Sequence, residues 1–154
     1  MSEDPAGPSG FALEIEQRIE APVDVVFSYF VDPEKYRLWK GERAELDPRP
    51  GGRYRVDMDG GTTVMVGRYV EVEPPRRIVF TWGWEGNPEM PPGSTTVEVT
   101  LTPQGEATLV RLRHAGFPSQ AALEQHRTGW GMLLARLAIA AEGGDPGPNP
   151  LAGR

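Results

Sequence analysis

The chain has 154 residues, a formal net charge of -6 and no cysteine. Its length fits one domain, and the lack of cysteine excludes disulfides, thiolate metal ligands and a cysteine nucleophile. The negative charge argues against a protein that tracks nucleic-acid phosphates, and no apolar run approaches the roughly 20 residues that cross a bilayer. With no readable secretory signal at the N-terminus, we expect a cytoplasmic protein that binds neither nucleic acid nor membrane.

Both ends of the chain differ in composition from the rest. Residues 1–9 and 143–154 are rich in Gly and Pro and contain little that can be buried, which is typical of disordered tails. No internal repeat divides the stretch between them. We therefore expect two disordered tails around a single folded domain, residues 10–142.

The first quarter of the chain predicts one strand and two short helices. Residues 11–19 alternate apolar and polar side chains, as in a half-buried strand. Pro22 fits the first helical position, and apolar residues recur at helical spacing through residues 23–31. Asp32, which precedes a proline, is the expected N-cap of a second short helix that Gly41 closes.

From about residue 43 to 115 the sequence predicts a meander of six strands, separated by Gly and Pro turns. The stretch 62–75 is apolar on both of its faces, so this strand is either covered on both sides or carries a bulge. The stretch 87–94, NPEMPPGS, is too polar and proline-rich for a strand and is expected to be a loop.

A long helix is predicted to follow, with Ser119 as its N-cap and apolar residues at i, i+3, i+4 and i+7. Gly129 and Gly131 flank Trp130 within it, and each glycine costs roughly 1 kcal/mol relative to alanine in a helix. We expect their small size to let the helix or a bound molecule approach the sheet closely.

This order of elements predicts an α+β protein. A strongly twisted antiparallel sheet curls as strands are added, and the long helix is the only element large enough to cover its apolar face. We therefore expect a curved antiparallel sheet of about seven strands wrapped around a long C-terminal helix, with two short helices after the first strand. A curled sheet that grips one helix leaves a volume between them.

Five stretches of the chain resemble signatures of one known family: IEAPVDVVFSYFVDPEKYRLW, RPGGRYRVDM, GRYVEVEPPRRIVFTWGW, STTVEVTL and HRTGWGMLLARL. They are similar to the AHSA1-like group, named after an activator of the Hsp90 ATPase, within the START-like or SRPBCC superfamily. The resemblance covers about residues 11–142. It implies a helix-grip fold with a deep, mainly apolar cavity between the sheet and the C-terminal helix.

Ligand-contacting residues are predicted from an aromatic row and its neighbours. Ile78, Phe80, Trp82 and Trp84 alternate along one stretch and so share a strand face. Aromatic and methionine side chains with a few polar groups are typical of small-molecule cavities, although core filling is an equal alternative for the tryptophans. The predicted ligand-binding residues are Trp39, Met58, Met65, Tyr69, Phe80, Trp82, Trp84, Val97, Val99, His114, His126, Trp130 and Leu134.

The two histidines differ in their expected roles. His126 lies on the apolar stripe of the last helix and matches the histidine of the family's H-x-x-G-W motif, and a structural role, bonded to a strand residue, is favoured. His114 ends a strand on the inward row and faces either the cavity mouth or solvent. Two histidines without cysteine predict no metal site, and no cofactor motif or nucleophile elbow is present. We therefore assign no catalytic residue, metal or cofactor.

These observations favour non-catalytic binding of a small hydrophobic or amphipathic ligand. One alternative is an enzyme of the cyclase, dehydratase or hydrolase type, as in other helix-grip proteins, that uses a cavity His or Glu. Another, which rests on the family name, is an Hsp90-related co-chaperone or protein-interaction module. The loop NPEMPPGS and the strand edges leave a homodimer open.

Overall fold

The computed structural model describes residues 11–40, 43–57 and 64–147. The predicted α+β order is confirmed. In these ranges, no helix combines the length and apolar character needed to span a membrane. The elements are β1 (Phe11–Ile19), α1 (Val23–Val31), α2 (Pro33–Trp39), β2 (Arg43–Leu46), β3 (Arg53–Asp57), β4 (Val64–Glu73), β5 (Arg77–Trp82), β6 (Thr95–Gln104), β7 (Ala107–Phe117) and α3 (Gln120–Ala141).

The strands form one seven-stranded antiparallel sheet in the order β1-β7-β6-β5-β4-β3-β2. Strands β2 to β7 are a meander, so each hydrogen-bonds to its neighbour in sequence, and β1 joins the edge beside β7. The sheet is curved and open, with the long α3 against it. The predicted helix-grip architecture is therefore confirmed.

Period-2 alternation sets the inner face of β6 and β7. Val99 pairs with Leu112 and Leu101 with Val110, and none of these four side chains is more than 2% exposed. Their sequence neighbours point to the other face and are exposed or half-buried. A continuous apolar wall thus faces α3.

Strand β4 carries the bulge that the sequence left as one of two alternatives. The pairing of β4 with β5 shifts register between Tyr69 and Glu71. Before the shift the inward residue is the buried Tyr69, which pairs with Phe80, whereas after it Val72 pairs with Ile78 and packs against the core, because the extra residue turns the pleat by one position. Just before the bulge, a Cβ on Gly67 would lie 2.0 Å from the carbonyl oxygen of Thr81. Glycine therefore permits the close approach of β4 and β5.

The helix starts follow the capping residues. Asp32 Oδ1 accepts a hydrogen bond from the Glu34 amide at 2.9 Å and caps α2, and Ser119 Oγ accepts from the Ala122 amide at 3.1 Å and caps α3. Both predicted N-caps are confirmed. Pro22 is the N-cap of α1 rather than its first helical residue. Gly41, the expected end of α2, lies outside the described residues.

Arg136 fastens α3 to its surroundings through backbone carbonyls. Its guanidinium donates to the oxygens of Leu38 and Trp39 at the end of α2, and to those of Pro146 and Gly147. The side chain therefore supplies donors to carbonyls that the end of α2 leaves without helical partners. It also holds residues 146 and 147, which belong to the predicted C-terminal tail, against the helix.

Candidate functional site

Most of the inner aromatic side chains interlock into a solid core. The Tyr54 and Phe80 rings stack with centroids 4.7 Å apart, and Tyr69 meets Tyr54 edge-on at 5.7 Å. Trp39 packs edge-on against Tyr36 at 5.2 Å and is 0% exposed. We call this region, where α2 covers the sheet, the closed end.

The aromatic row on β5 continues past the closed end. Ile78, Phe80 and Trp82 share the inner face, and each is at most 2% exposed. The strand ends at Trp82, but Trp84 still bridges to Met65 on β4. The Trp82 and Trp84 rings meet at right angles with centroids 5.6 Å apart, and Trp84 is only half-buried. The row thus leaves the core at Trp84.

A cavity of about 670 Å³ begins there. It lies between the segment after β5 and the first half of α3, and we call this region the open end. Its volume falls within the range of small-molecule sites, about 300 to 1,000 Å³. Its lining includes Trp82, Trp84, Met90, His126, Trp130 and Leu133.

The segment after β5 is held back from α3 by its own backbone bonds. The Trp84 amide donates to the Met90 carbonyl at 2.8 Å, and the Glu85 amide donates to the Val64 carbonyl at 2.8 Å. A Cβ on Gly83 would lie 1.9 Å from the Pro91 carbonyl oxygen. The segment therefore doubles back on itself as a tight wall, and space remains between it and the helix.

The predicted ligand-binding residues separate into two sets. Trp82, Trp84, His126 and Trp130 line the cavity, and Met58 lies outside the described residues. The others are at most 2% exposed and pack in the core or the sheet instead of along the cavity wall: Trp39, Met65, Tyr69, Phe80, Val97, Val99, His114 and Leu134.

His126 has both ring nitrogens engaged. Its Nδ1–H donates to the Ala122 carbonyl at 2.8 Å, and its Nε2 accepts from the Trp84 indole N–H at 3.1 Å. These roles define a neutral tautomer, and burial lowers the pKa of His126 below its usual value. The bond to Trp84 favours the structural interpretation of this histidine.

His114 lies at neither of its expected places, because it is 0% exposed. Its Nδ1 accepts from the Trp130 indole N–H at 3.0 Å, while its Nε2–H donates to Thr95 Oγ1 at 2.8 Å. Thr95 in turn donates to the Trp82 carbonyl at 2.8 Å. Burial lowers the pKa of His114 well below its usual value. The neutral ring thus fixes the orientation of Trp130, a wall of the cavity.

Lys40 was not among the predicted site residues, yet it lies at the centre of the interior. It follows α2 directly and is 0% exposed. Its Nζ donates to the hydroxyl oxygens of Tyr36 at 2.9 Å and Tyr54 at 3.1 Å, and these two hydroxyls also bond to each other. The same atom lies 4.2 Å from the ring centroid of Trp82 and 4.4 Å from that of Trp130. The available signal was its position four residues after Tyr36, on one helix face.

Two opposing effects act on the Lys40 amine. The indole faces stabilise the ammonium form, whereas removal from water destabilises it. Desolvation is the larger effect, and it lowers the pKa of Lys40 well below its ordinary value. Burial also raises the pKa of Tyr36 and of Tyr54 well above the usual range. The interior therefore holds an amine beside two neutral phenols.

Two buried donors lack a hydrogen-bond partner within the part of the chain that the structure describes. They are the Tyr69 hydroxyl and the Trp82 indole Nε1. A buried polar group without a partner costs about 1–3 kcal/mol. Trp82 is also a wall of the cavity, although its indole nitrogen is itself buried. Over the described ranges, no cluster of three His, Asp or Glu residues could hold a metal ion.

Comparison with known proteins relates this architecture to one family. A family model described as Activator of Hsp90 ATPase homolog 1-like protein matches residues 20–142. A solved AHSA1-like protein from Rhizobium etli is 41% identical, with a TM-score of 0.72, and the match covers 94% of this chain and 89% of that one. CalU16 from Micromonospora echinospora is 34% identical over 90% of this chain and 77% of its own, with a TM-score of 0.71.

A more distant structure shows how far the fold extends. The Aha1 dimer from Colwellia psychrerythraea has a TM-score of 0.75 and covers 87% of this chain and 98% of its own, at 16% identity. At that identity the likeness concerns the fold alone. Comparison with curated proteins finds no match.

Proposed function

This chain belongs to the family of Activator of Hsp90 ATPase homolog 1-like proteins, and within that family we propose that it binds a small, uncharged aromatic molecule without catalysing its conversion to another product. The observation that carries the proposal is the cavity of about 670 Å³ walled by Trp82, Trp84 and Trp130. Indole faces bury large apolar areas and stack on aromatic partners. Trp82 and Trp130 are already buried, so a planar ligand beside them would exclude water mainly from the half-buried Trp84 ring.

The charges and hydrogen-bonding groups of the cavity lining restrict the chemical class of the ligand further. The described lining residues include Glu85 and Glu89 but no Arg or Lys, which disfavours an anionic ligand. The Trp82 N–H, which has no partner in the described part of the chain, favours a ligand with one acceptor atom. We therefore propose an uncharged aromatic compound that carries a hydroxyl or carbonyl oxygen.

The state of His126 supports binding over catalysis. A general base must reach the proton that it abstracts, and both nitrogens of this cavity-wall histidine already bond to Trp84 and Ala122. An enzyme would have to break one of these bonds first. Non-catalytic binding needs no such rearrangement.

A matched pair of alanines on α3 tests the proposal. Ala122 lines the cavity, while its neighbour Ala121 is exposed. We expect 2-naphthol to raise the melting temperature of the wild type and to quench its tryptophan fluorescence. Ala122→Leu fills the cavity and should weaken this binding at least about tenfold, a loss of about 1.4 kcal/mol, whereas Ala121→Leu should leave it unchanged. Equal affinity in the two variants, or no binding by the wild type, would refute the proposal.

The family description also names a second candidate, activation of an Hsp90 ATPase. Adding the protein to a bacterial Hsp90 and measuring ATP hydrolysis tests it, and stimulation that Ala122→Leu leaves intact would favour a surface interaction. We also propose that this chain forms a homodimer, since the Colwellia psychrerythraea protein of the same fold is a dimer. Size-exclusion chromatography with light scattering measures it.

A further inference from the structure

The cavity floor and a buried amine share the same two indole rings. Trp82 and Trp130 line the cavity on one side, and the Lys40 Nζ lies 4.2 and 4.4 Å from their ring centroids. We propose that Lys40 is a covalent ligand site: its amine condenses with an aromatic aldehyde or ketone held in the cavity and forms an imine. This inference rests on the proposed function, since the cavity must first bind the carbonyl compound.

The surroundings of Nζ suit this chemistry. A lysine desolvated in an apolar site is the kind that forms Schiff bases with carbonyl compounds, because its unprotonated amine is the nucleophile. Burial lowers the pKa of Lys40 well below its ordinary value, so more of the amine is unprotonated than for a solvated lysine. The Tyr36 and Tyr54 hydroxyls, 2.9 and 3.1 Å from Nζ, hold the side chain in place.

The reaction balances without any oxidant, reductant or cofactor. The Nζ lone pair attacks the carbonyl carbon, a C–N bond forms, and the C=O electron pair moves onto oxygen as it takes up a proton. The resulting carbinolamine loses that oxygen as water, with both water hydrogens coming in net from the amine. A C=N bond replaces the C=O bond, and hydrolysis by the same route in reverse releases the carbonyl compound.

Access to the amine requires the two indole rings to part, and they are held unequally. The Trp130 N–H is anchored to His114 at 3.0 Å. Among the described residues the Trp82 N–H has no hydrogen-bond partner, so displacing this ring breaks packing contacts and the contact with the Lys40 Nζ but no hydrogen bond of its side chain. A ligand carbonyl that accepts from the Trp82 N–H enters beside the ring that moves more easily. The Trp82 N–H would thus orient the ligand, and displacement of the same ring would expose Lys40.

Because the chain has so few lysines, an adduct can be assigned to a single residue. Its only lysines are Lys35 and Lys40, and Lys35 is half-buried, with Nζ donating to Ser28 Oγ at 2.9 Å. The wild type is incubated at pH 7 with 1-naphthaldehyde and cyanoborohydride, which reduces an imine to a stable amine. Intact mass and peptide mapping then locate the adduct. An ordinary lysine is unprotonated in only about 1 molecule in 2,500 at this pH, and we expect at least about tenfold more adduct at Lys40 than at Lys35.

Two variants and one matched probe complete the design. Lys35→Met should keep the adduct and Lys40→Met should lose it; if Lys40→Met does not fold, the wild-type peptide map alone decides between the lysines. The probe 1-naphthalenemethanol has the same rings but no carbonyl, and thus reports cavity binding alone. If both probes bind and the adduct lies on Lys35, on the N-terminal amine or nowhere, the imine is overturned while the proposed function stands. If neither probe binds, both fail.

Discussion

The closed end and the open end of the interior are built from the same side-chain types, yet one is solid and the other hollow. At the closed end, the Tyr36 ring of α2 meets Trp39 at 5.2 Å and Tyr54 on β3 at 6.0 Å. At the open end, Trp130 on α3 lies across the cavity from the segment that carries Trp84, and this segment bonds mainly to itself. The difference lies in what covers the rings. Helix α2 packs closely on the sheet and fills the closed end, whereas the segment after β5 is separated from α3 and leaves a cavity at the open end.

The largest predicted effect compares one tryptophan from each end. Trp39 is 0% exposed and donates its indole N–H to the Tyr29 carbonyl at 2.9 Å. Trp39→Ala should therefore lower the free energy of unfolding by about 3–5 kcal/mol. Trp84 is half-buried beside a cavity, and Trp84→Ala should lower it by less than half as much. Urea denaturation of both variants measures this, and equal losses would mean that the ends do not differ in packing.

The next largest predicted effect concerns Lys40, which lies between the two ends. Its titration should make the stability of the protein depend on pH. Its pKa is lowered in the folded chain by burial, so between the folded and unfolded pKa values the unfolded chain binds more protons. Stability should then rise with pH, by up to about 1.4 kcal/mol per unit, towards the unfolded value near 10.4. Lys40→Met should abolish this rise between pH 7 and 9.

That pH window separates Lys40 from other titrating groups. The lowered pKa values of His114 and His126 affect stability as the pH falls towards and below their unfolded value, near 6.5. The raised pKa values of Tyr36 and Tyr54 act near pH 10 and above. Parallel stability profiles for the wild type and Lys40→Met from pH 7 to 9 would show that this amine is charged when folded.

A smaller effect concerns the bonds that orient the cavity wall. Thr95→Val keeps the side-chain shape but removes the hydroxyl that accepts from His114 and donates to the Trp82 carbonyl. The buried His114 N–H loses its partner, and we expect a loss of about 1–3 kcal/mol in the free energy of unfolding. Thr102→Val, an exposed position on the same strand, should change it by less than about 0.5 kcal/mol. Similar values for both variants would remove the structural role of Thr95.

What the sequence predicted well depends on local pattern. Alternation places Val99 and Leu112 on the inner face, and the N-caps Asp32 and Ser119 act within three residues of themselves. Each of these features follows from side-chain periodicity or from one side chain and its neighbouring backbone. The helix-grip architecture followed from their order along the chain.

What the sequence did not show depends on contacts between distant segments. The open end exists because the segment around Trp84 and Met90 bonds to itself and to β4. The spacing of apolar residues in the sequence does not predict these bonds. Lys40 resembles an ordinary solvated residue after a helix, and its burial appears only when Tyr54 and Trp130 close over it. His114 likewise required Trp130 as its partner. The sequence therefore predicts candidate residues of the site better than it predicts their arrangement.

The most direct measurement uses the four tryptophans of the chain. Their indole N–H groups give four signals in a ¹H–¹⁵N correlation spectrum, which can be assigned with single Trp→Phe variants. On titration with 2-naphthol, we expect the Trp82, Trp84 and Trp130 signals to shift, with Trp82 shifting most because its N–H gains an acceptor. The Trp39 signal, from the closed end, should stay in place. No shift at any of the three, or an equal shift at Trp39, would contradict a hollow confined to the open end.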